Sequence, residues 1–368
     1  MGGVIVASAR HKGHRRGVLL GLCGVNLALV LAVAGRAMAI SDLIAPLTGH
    51  LLGIGLAASL ALLTRRLSLL IAGTLATLLV HAGLGVASCC RPPPAPVVHT
   101  SALGNLAPPG VASDLSLLAL NTWHRHGDLS RLTAYLTRAD VDLMLLSEFG
   151  PNKRALLKDL KASHPYQIGC VGEWACSLAL LSRLPLESAG AGHIGSGKLA
   201  FVWARLAGVT VIGTHLVRPT RDPWRHQRQM AELVEFIGRI PGPVILAGDL
   251  NTTPWSNSYR TLRRAAGLLP TRRLNPTWPA WPLAIPQLAL DHIFVSSELS
   301  VSAAGTGPPV GSDHLPIWAV VQRRPAFDRG RTLVRGLALR SAPTQPQFGR
   351  QLLADFGGEH AGARDLRR

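Results

Sequence analysis

The sequence predicts an α/β domain of packed sheets with outer helices, carried behind three apolar segments long enough to cross a membrane. Three observations predict it. Short apolar runs such as LSLLALN (115–121) and VDLMLLS (141–147) read as buried strands, and they are interspersed with a few amphipathic helical stretches. Uncharged runs of about 19–21 residues fill the N-terminal quarter. Asn, Asp, Glu and His stand just past the ends of the strand-like runs, where α/β enzymes place their sites.

Composition agrees with a two-part chain. Its 368 residues suit about two domains at roughly 100–200 residues each. Hydrophobic residues make up 48%, and the mean hydropathy of +0.25 is high for a soluble enzyme, so the apolar content must be concentrated locally. The formal net charge of +18, mostly from Arg, draws phosphate-rich partners such as nucleic acid and anionic head groups, although charge alone names no specific partner. Five Cys show no metal-ligand spacing and force no disulfide framework; Cys170 and Cys176 are close enough to pair in an oxidising compartment.

In chain order, residues 1–16 form a basic cytoplasmic segment with Arg10, Lys12, Arg15 and Arg16. Residues 17–88 hold the three apolar runs, Gly17 to Gly35, Leu43 to Leu63 and Leu67 to Ala87. The runs lack the polar face of a soluble helix and are too long and too many for a signal peptide. Ser41 and Asp42 mark a polar turn after the first run, and Arg65 and Arg66 separate the second from the third. The positive-inside rule puts the N-terminus and the Arg65–Arg66 turn in the cytoplasm, and everything after Ala87 outside. Residues 89–112 are a Pro-rich tether that cannot form a packed core. Residues 113–322 are the α/β domain. Strands are expected at 115–121, 141–147, 177–181, 201–205, 210–214, 244–247, 290–295 and 317–321, and helices at 128–139 and 225–239. Residues 323–368 read as a basic, disordered tail.

The polar residues at the strand ends suit phosphoester chemistry. A divalent ion on carboxylate oxygens neutralises the phosphate and stabilises the leaving group. Glu148 fits that role, because Mg²⁺ takes one or two carboxylates plus water and substrate oxygens. Asp249 is placed to activate a water as general base. Asn121 and Asn251 can position phosphate and metal-bound water. His215 and His314, when protonated, stabilise charge on the transition-state oxygens, and Asp291 is the partner expected to orient His314. His124, His126 and His193 form a weaker extra grouping. Trp123, Trp174, Trp224, Trp255, Trp278 and Trp281 fall in predicted loops, where they suit a substrate rim or a membrane interface.

The ordered series Asn121, Glu148, His215, Asp249-Leu250-Asn251, Asp291-His292-Ile293 and Ser312-Asp313-His314 resembles the endonuclease/exonuclease/phosphatase superfamily. Ser182-Arg183-Leu184-Pro185 fits the same pattern. The resemblance covers roughly Ser113 to Gln322. It implies a four-layer α/β sandwich of two packed mixed sheets flanked by helices. Residue by residue it implies catalytic roles for Asp249, Asn251, His215, His314 and Asp291, metal binding by Glu148, Asn121 and Asp313, and substrate contacts from Asn251 and His215. The implied cofactor is Mg²⁺, with Mn²⁺ as a substitute. The pattern departs from the apurinic/apyrimidinic branch at Trp123, where that branch has Asp, and Thr214-His215 is closer to the sphingomyelinase and deoxyribonuclease branches.

The expectation is therefore a multi-pass protein of the inner or plasma membrane with its catalytic domain periplasmic or extracellular. Its partners would be the bilayer and a phosphate ester: a phospholipid, a lipid-linked phosphate or a small ester. An extracytoplasmic nuclease is the alternative that the basic charge favours. A non-catalytic envelope-binding module is the third reading, and it would call for loss of Glu148, Asp249 or His314, all of which are present. No obligate protein partner is expected.

Overall fold

The computed structural model describes residues 114–324, except 126, 172–175, 273–274 and 283–284, together with single positions 21, 24, 42, 47, 48, 50, 51 and 53. Most of the first two expected spans, all of the third, the whole tether 89–112 and the tail beyond residue 324 lie outside the described residues. Among the described residues no helix is long and apolar enough to cross a membrane. The chain falls into two units, one of Met1–Pro92, Val217–Gln227 and Thr252–Leu262, the other of Pro93–Leu216, Arg228–Asn251 and Arg263–Arg368.

The second unit carries all twelve strands found among the described residues, in two six-stranded sheets. The first sheet runs β11-β12-β1-β2-β4-β3, built from β1 (Leu115–Asn121), β2 (Leu143–Ser147), β3 (Tyr166–Gly169), β4 (Ala179–Ser182), β11 (Leu299–Thr306) and β12 (Ile317–Arg323). The second runs β5-β6-β7-β8-β10-β9, from β5 (Ser188–Ile194), β6 (Leu199–Leu206), β7 (Val209–His215), β8 (Val244–Asp249), β9 (Leu269–Pro270) and β10 (Asp291–Val295). Both sheets are mixed: β1 with β2 and β7 with β8 pair in parallel, and their other neighbours pair antiparallel. The expected α/β sandwich is thus present.

Burial on both faces explains why the central strands read as unbroken apolar runs. Leu115, Leu117 and Ala119 of β1 join a core with Leu145 of β2, Val202 of β6, Val211 of β7 and Ile245 of β8, between the sheets. Leu118 and Leu120 point the other way, against Leu132 and Leu136 of helix α1 (Ser130–Arg138) and Leu156 and Leu157 of α2 (Ala155–Asp159). Each fully buried Leu contributes roughly 1.5–3 kcal/mol. On the second sheet, Phe236 of α3 (Pro223–Gly238) packs on Phe201 of β6 with ring centroids 5.2 Å apart.

In the first unit, Asp222 starts α3 by accepting the Arg225 N–H at 2.9 Å, with Pro223 at the first helical position. Most of α4 (Asn257–Ala265) also belongs to this unit. The segments 150–176 and 257–287, for which the sequence predicted no strand or helix, contain α2 and β3 in one case and α4 and β9 in the other. Trp224, expected in a loop, lies in the first turn of α3 and is 64% exposed.

Candidate functional site

Strand register brings the polar residues to matching ends. Asn121 pairs with Ser147 where parallel β1 and β2 finish, and Glu148 follows at once. His215 pairs with Asp249 where β7 and β8 finish, and Asp249 also faces Asp291 at the start of antiparallel β10. Ser312 ties the loop before β12 to this edge, its hydroxyl donating to the Asn121 carbonyl at 2.6 Å.

Local backbone conformation aims the side chains. Gly248 has φ +139°, and a Cβ there would lie 2.0 Å from the Thr214 carbonyl oxygen, so only glycine lets β8 approach β7 just before Asp249. Asn251 sits at φ 47°, a left-handed position that Asn tolerates. Glu148 sits at φ 51°, which is unusual for Glu and marks strain at a working site. Three bonds hold it there. The Phe149 N–H donates to the Ser177 carbonyl at 2.8 Å, Lys153 Nζ donates to the Glu148 carbonyl at 3.2 Å, and the His124 N–H donates to Glu148 Oε2 at 2.8 Å.

Asn121 lies at the junction. Its Nδ2 donates to Asp249 Oδ2 at 2.9 Å and to Glu148 Oε1 at 3.2 Å, while its Oδ1 accepts the Trp123 N–H at 2.9 Å. Two carboxylates this close to one amide need positive charge nearby. His215 Nε2 lies 3.5 Å from Asp249 Oδ2 and 3.8 Å from Glu148 Oε1, and His314 Nε2 lies 3.8 Å from Asp249 Oδ2. His314 Nδ1 is bonded to Asp291 Oδ2 at 2.7 Å, and Asp291 Oδ2 accepts the Thr277 hydroxyl at 2.6 Å. Asn251 steadies the β8 end: its N–H donates to Asp249 Oδ1 at 2.9 Å and its Nδ2 to the Leu216 carbonyl at 2.8 Å. Half-buried Asp313 accepts the Trp278 indole N–H on Oδ2 at 3.4 Å.

The charges sort into anion and cation. Burial works to raise the Glu148 carboxyl, but the His215 charge, the His124 N–H and ring and the Asn121 amide outweigh it and hold it at about 2. Burial would lower His314, yet Asp291 and then Asp249 hold the imidazolium up to about 10. Asp291 is lowered in turn, with burial overcome by the His314 charge and by bonds from His314 and Thr277. Asp249, Asp291 and His314 each offer one ligand atom within 4.8 Å of the others, all buried, a grouping able to hold a metal ion. The oxygen-rich set of Glu148, Asp249 and Asn121 fits a hard divalent cation.

Seven of the eight expected site residues, Asn121, Glu148, His215, Asp249, Asn251, Asp291 and His314, thus form one connected group. Asp313 stands beside it, with Trp278. His193 lies apart on β5, exposed, and His126 and Trp174 fall outside the described residues. Sequence reasoning did not single out Lys153 or Thr277. Lys153 is fully buried, its Nζ donating to the Trp123 carbonyl at 2.9 Å as well as to that of Glu148. A lysine two residues past a Gly-Pro turn reads as surface, and only the fold shows it buried. The His124 ring, 2.5 Å from Glu148 Oε2, makes more of His124 than an exposed loop residue. Trp281 packs against Trp123 with ring centroids 5.1 Å apart. Cys170 and Cys176 form a disulfide.

The sequence matches the profile of the Endonuclease/Exonuclease/phosphatase family over residues 118–314, more than half the chain. No curated protein matches it. Among solved structures it is similar to D. rerio TDP2 humanized by 14 mutations, with 18% identity over 56% of this chain and 98% of that one and a TM-score of 0.48. It is similar to an endonuclease/exonuclease/phosphatase from Bacteroides vulgatus, with 15% identity, 58% and 100% coverage and a TM-score of 0.49. Sphingomyelinase C from Streptomyces griseocarneus gives 19% identity, 56% and 99% coverage and a TM-score of 0.42.

Proposed function

The chain belongs to the endonuclease/exonuclease/phosphatase family and is a metal-dependent phosphoester hydrolase, and from that premise we propose that it is anchored in a membrane and hydrolyses phosphoesters outside the cytoplasm, on a phospholipid, a lipid-linked phosphate or a small ester. The observation that carries the catalytic part is the bonded group Glu148–Asn121–Asp249 flanked by His215 and by the His314–Asp291 pair. A divalent ion, Mg²⁺ or Mn²⁺, held by Glu148 with Asn121 and with Asp313 as a further carboxylate, would neutralise the phosphoryl oxygens. His314 is assigned the role of cation rather than ligand, because Asp291 occupies its Nδ1 at 2.7 Å and supports charge on the ring.

Asp249 Oδ2 takes the proton from the attacking water. Its other oxygen is fixed by the Asn251 N–H, so the carboxylate keeps one orientation. His314, held cationic by Asp291, and His215 face the same oxygen and stabilise the negative charge that builds on the phosphoryl group. One N–H of Asn251 is committed to Leu216, which leaves the other for a substrate oxygen.

Membrane anchoring and external placement rest on the sequence: the apolar runs in 17–88, the basic segment 1–16 and Arg65–Arg66. The Cys170–Cys176 disulfide supports an oxidising compartment. Residues 89–112 are read as the tether, 113–322 as the catalytic domain and 323–368 as a basic tail. The net charge of +18 favours the second reading, an extracytoplasmic nuclease.

The test is hydrolysis by the full chain with Mg²⁺ against a chromogenic phosphodiester, phosphomonoesters, plasmid DNA, sphingomyelin and a polyprenyl diphosphate, each beside Asp249→Ala. Metal-dependent turnover lost in Asp249→Ala supports the assignment, and the preferred substrate separates lipid from nucleic acid. Unchanged turnover in the variant overturns the role given to Asp249.

A further inference from the structure

The run Asn121-Thr122-Trp123-His124 leaves the end of β1 and turns back onto Glu148. Thr122 prolongs the pairing of β1 with β2, its N–H and its hydroxyl both donating to the Ser147 carbonyl, at 2.8 and 2.9 Å. Asn121 Oδ1 then accepts the N–H of Trp123, two residues on, in the local turn that Asn side chains favour. Trp123 stands at φ 55°, a left-handed conformation that a bulky residue holds only where its surroundings impose it. Lys153 Nζ donates to the Trp123 carbonyl at 2.9 Å and Asn152 Nδ2 to the His124 carbonyl at 3.4 Å, so the turn is fastened to the segment that follows Glu148.

This path brings two donors of His124 onto one oxygen. Its backbone N–H donates to Glu148 Oε2 at 2.8 Å, and its ring Nδ1 lies 2.5 Å from the same atom. A carboxylate oxygen only accepts, so Nδ1 carries the hydrogen of that bond whether the ring is neutral or charged. An ionised carboxylate has about four lone-pair sites, shared equally by its oxygens, and His124 therefore engages both sites of Oε2. Oε1 is turned to the other residues of the site. It accepts Asn121 Nδ2 at 3.2 Å and stands 3.8 Å from His215 Nε2, and the same Asn121 amide donates to Asp249 Oδ2 at 2.9 Å. The His124 side chain is 46% exposed against 9% for Glu148, so the imidazole fills no core.

We propose that His124 is a positioning residue that selects the ion: by holding Oε2 of Glu148 with two hydrogen bonds it makes that carboxylate meet a divalent cation through Oε1 alone, which favours Mg²⁺ or Mn²⁺ over Ca²⁺. The proposal rests on the reading of Glu148 as the metal carboxylate. Mg²⁺ demands a near-ideal octahedron, keeps several waters and takes single carboxylate oxygens, whereas Ca²⁺ accepts more ligands in looser geometry and readily takes both oxygens of one Glu. Loss of the His124 ring opens one site on Oε2 and leaves the backbone donor in place. Glu148 can then close on an ion with both oxygens, and the discrimination against Ca²⁺ falls. Partners that orient a ligating side chain tune the metal in this way without touching it.

The experiment loads the detergent-solubilised full chain with Mn²⁺ and displaces it with Mg²⁺ or with Ca²⁺, following the released Mn²⁺ by electron paramagnetic resonance. The ratio of the two displacement constants is compared for wild type, His124→Ala and His124→Asn, whose amide N–H can stand where the ring has Nδ1. His124→Ala is expected to lower the preference for Mg²⁺ over Ca²⁺ about tenfold, while His124→Asn stays within about twofold of wild type. The Ca²⁺-loaded His124→Ala chain should also show a narrower separation of the antisymmetric and symmetric carboxylate stretches in the infrared than Ca²⁺-loaded wild type, the mark of a carboxylate bound through both oxygens. An unchanged ratio in His124→Ala overturns the proposal, and so does equal weakening of both ions, which would make His124 a general support of Glu148. Glu148→Gln tests the premise separately. If it binds Mn²⁺ as tightly as wild type, the assignment of Glu148 as ligand falls and the proposal with it; if it loses Mn²⁺ while His124→Ala keeps the wild-type ratio, the proposal alone falls.

Discussion

Replacing Asp291 by Asn removes the negative charge from a pair in which both members are 1% exposed and 2.7 Å apart. The rise of His314 from 6.5 to about 10 corresponds, at ~1.4 kcal/mol per tenfold change, to about 5 kcal/mol of preference for the charged ring. Asp291 is the first of the groups that oppose burial. With Asn there, burial is still opposed by the charges of Asp249 and Asp313 but no longer by that of Asp291, so the ring's pKa falls and less of it is protonated at alkaline pH. A step that needs this cation then slows about tenfold for each unit by which the pKa drops below the assay pH, and recovers as the pH is lowered. Stability follows the same linkage. A folded-state pKa raised above the unfolded value contributes stability in full below ~6.5 and loses it as pH rises through about 10. Asp291→Asn is expected to cost about 3–5 kcal/mol at neutral pH, the usual penalty for orphaning one member of a buried pair. The assay is kcat against pH from mildly acid to alkaline on a chromogenic diester, with denaturant midpoints on the same samples. The wild-type profile should show no decline from His314 below pH 9, and the variant's decline should begin at a lower pH than the wild type's. A variant with wild-type kcat and an unshifted profile refutes the assignment of His314 as the catalytic cation.

Lys153→Met removes the hydrogen bonds that Nζ donates to the carbonyls of Trp123 and Glu148, and calorimetry should show divalent-ion affinity reduced about 10–100-fold; unchanged affinity would detach Lys153 from the placement of Glu148. Gly248→Ala forces a side chain into φ +139° against the Thr214 carbonyl and should cost about 3 kcal/mol or more in a urea titration, whereas Gly242→Ala, at φ +84° in open space, should cost about 1 kcal/mol. His164 is fully buried, donates Nε2–H to the Val141 carbonyl at 3.0 Å, and is lowered chiefly by burial. The unfolded chain therefore takes up the proton first, and wild type should lose stability as pH falls below ~6.5 while His164→Gln does not; parallel midpoints between pH 7 and 5 would remove His164 as the cause.

The site was legible because its residues end strands that are buried on both faces. Leu115–Asn121 reads as one apolar run that stops at a polar residue, and the observed strand has those bounds. Asp249 and Asn251 were legible from the run PVILA before them. What escaped were strands whose packing is done by a neighbour. β5 (SAGAGHI) has little periodic signal because the Trp203 ring of β6 covers Gly190, where a Cβ would lie 2.8 Å from the indole. β11 (LSVSAAGT) yields to Trp318 of β12 at Gly305 in the same way. α4 (NSYRTLRRA) was missed because it buries only Tyr259 and Leu262 among its large apolar side chains. Lys153 and Thr277 were invisible for another reason: each acts through a contact across sequence, to Trp123 and to Asp291, that no local pattern encodes.

The pairing of β1 with β12 has a consequence for how the protein is made. Leu115 of the first strand hydrogen-bonds in register with Val321 of the last. A ribosome adding ~5–20 residues per second needs ~10–40 s to travel the roughly 200 residues between them. Through that interval β1 has a partner on one flank only, and the sheet stays open along its middle. His314 emerges only just ahead of the closing strand. A prematurely terminated chain therefore lacks the seam and the cation together, and hydrolytic competence arrives only with the finished domain.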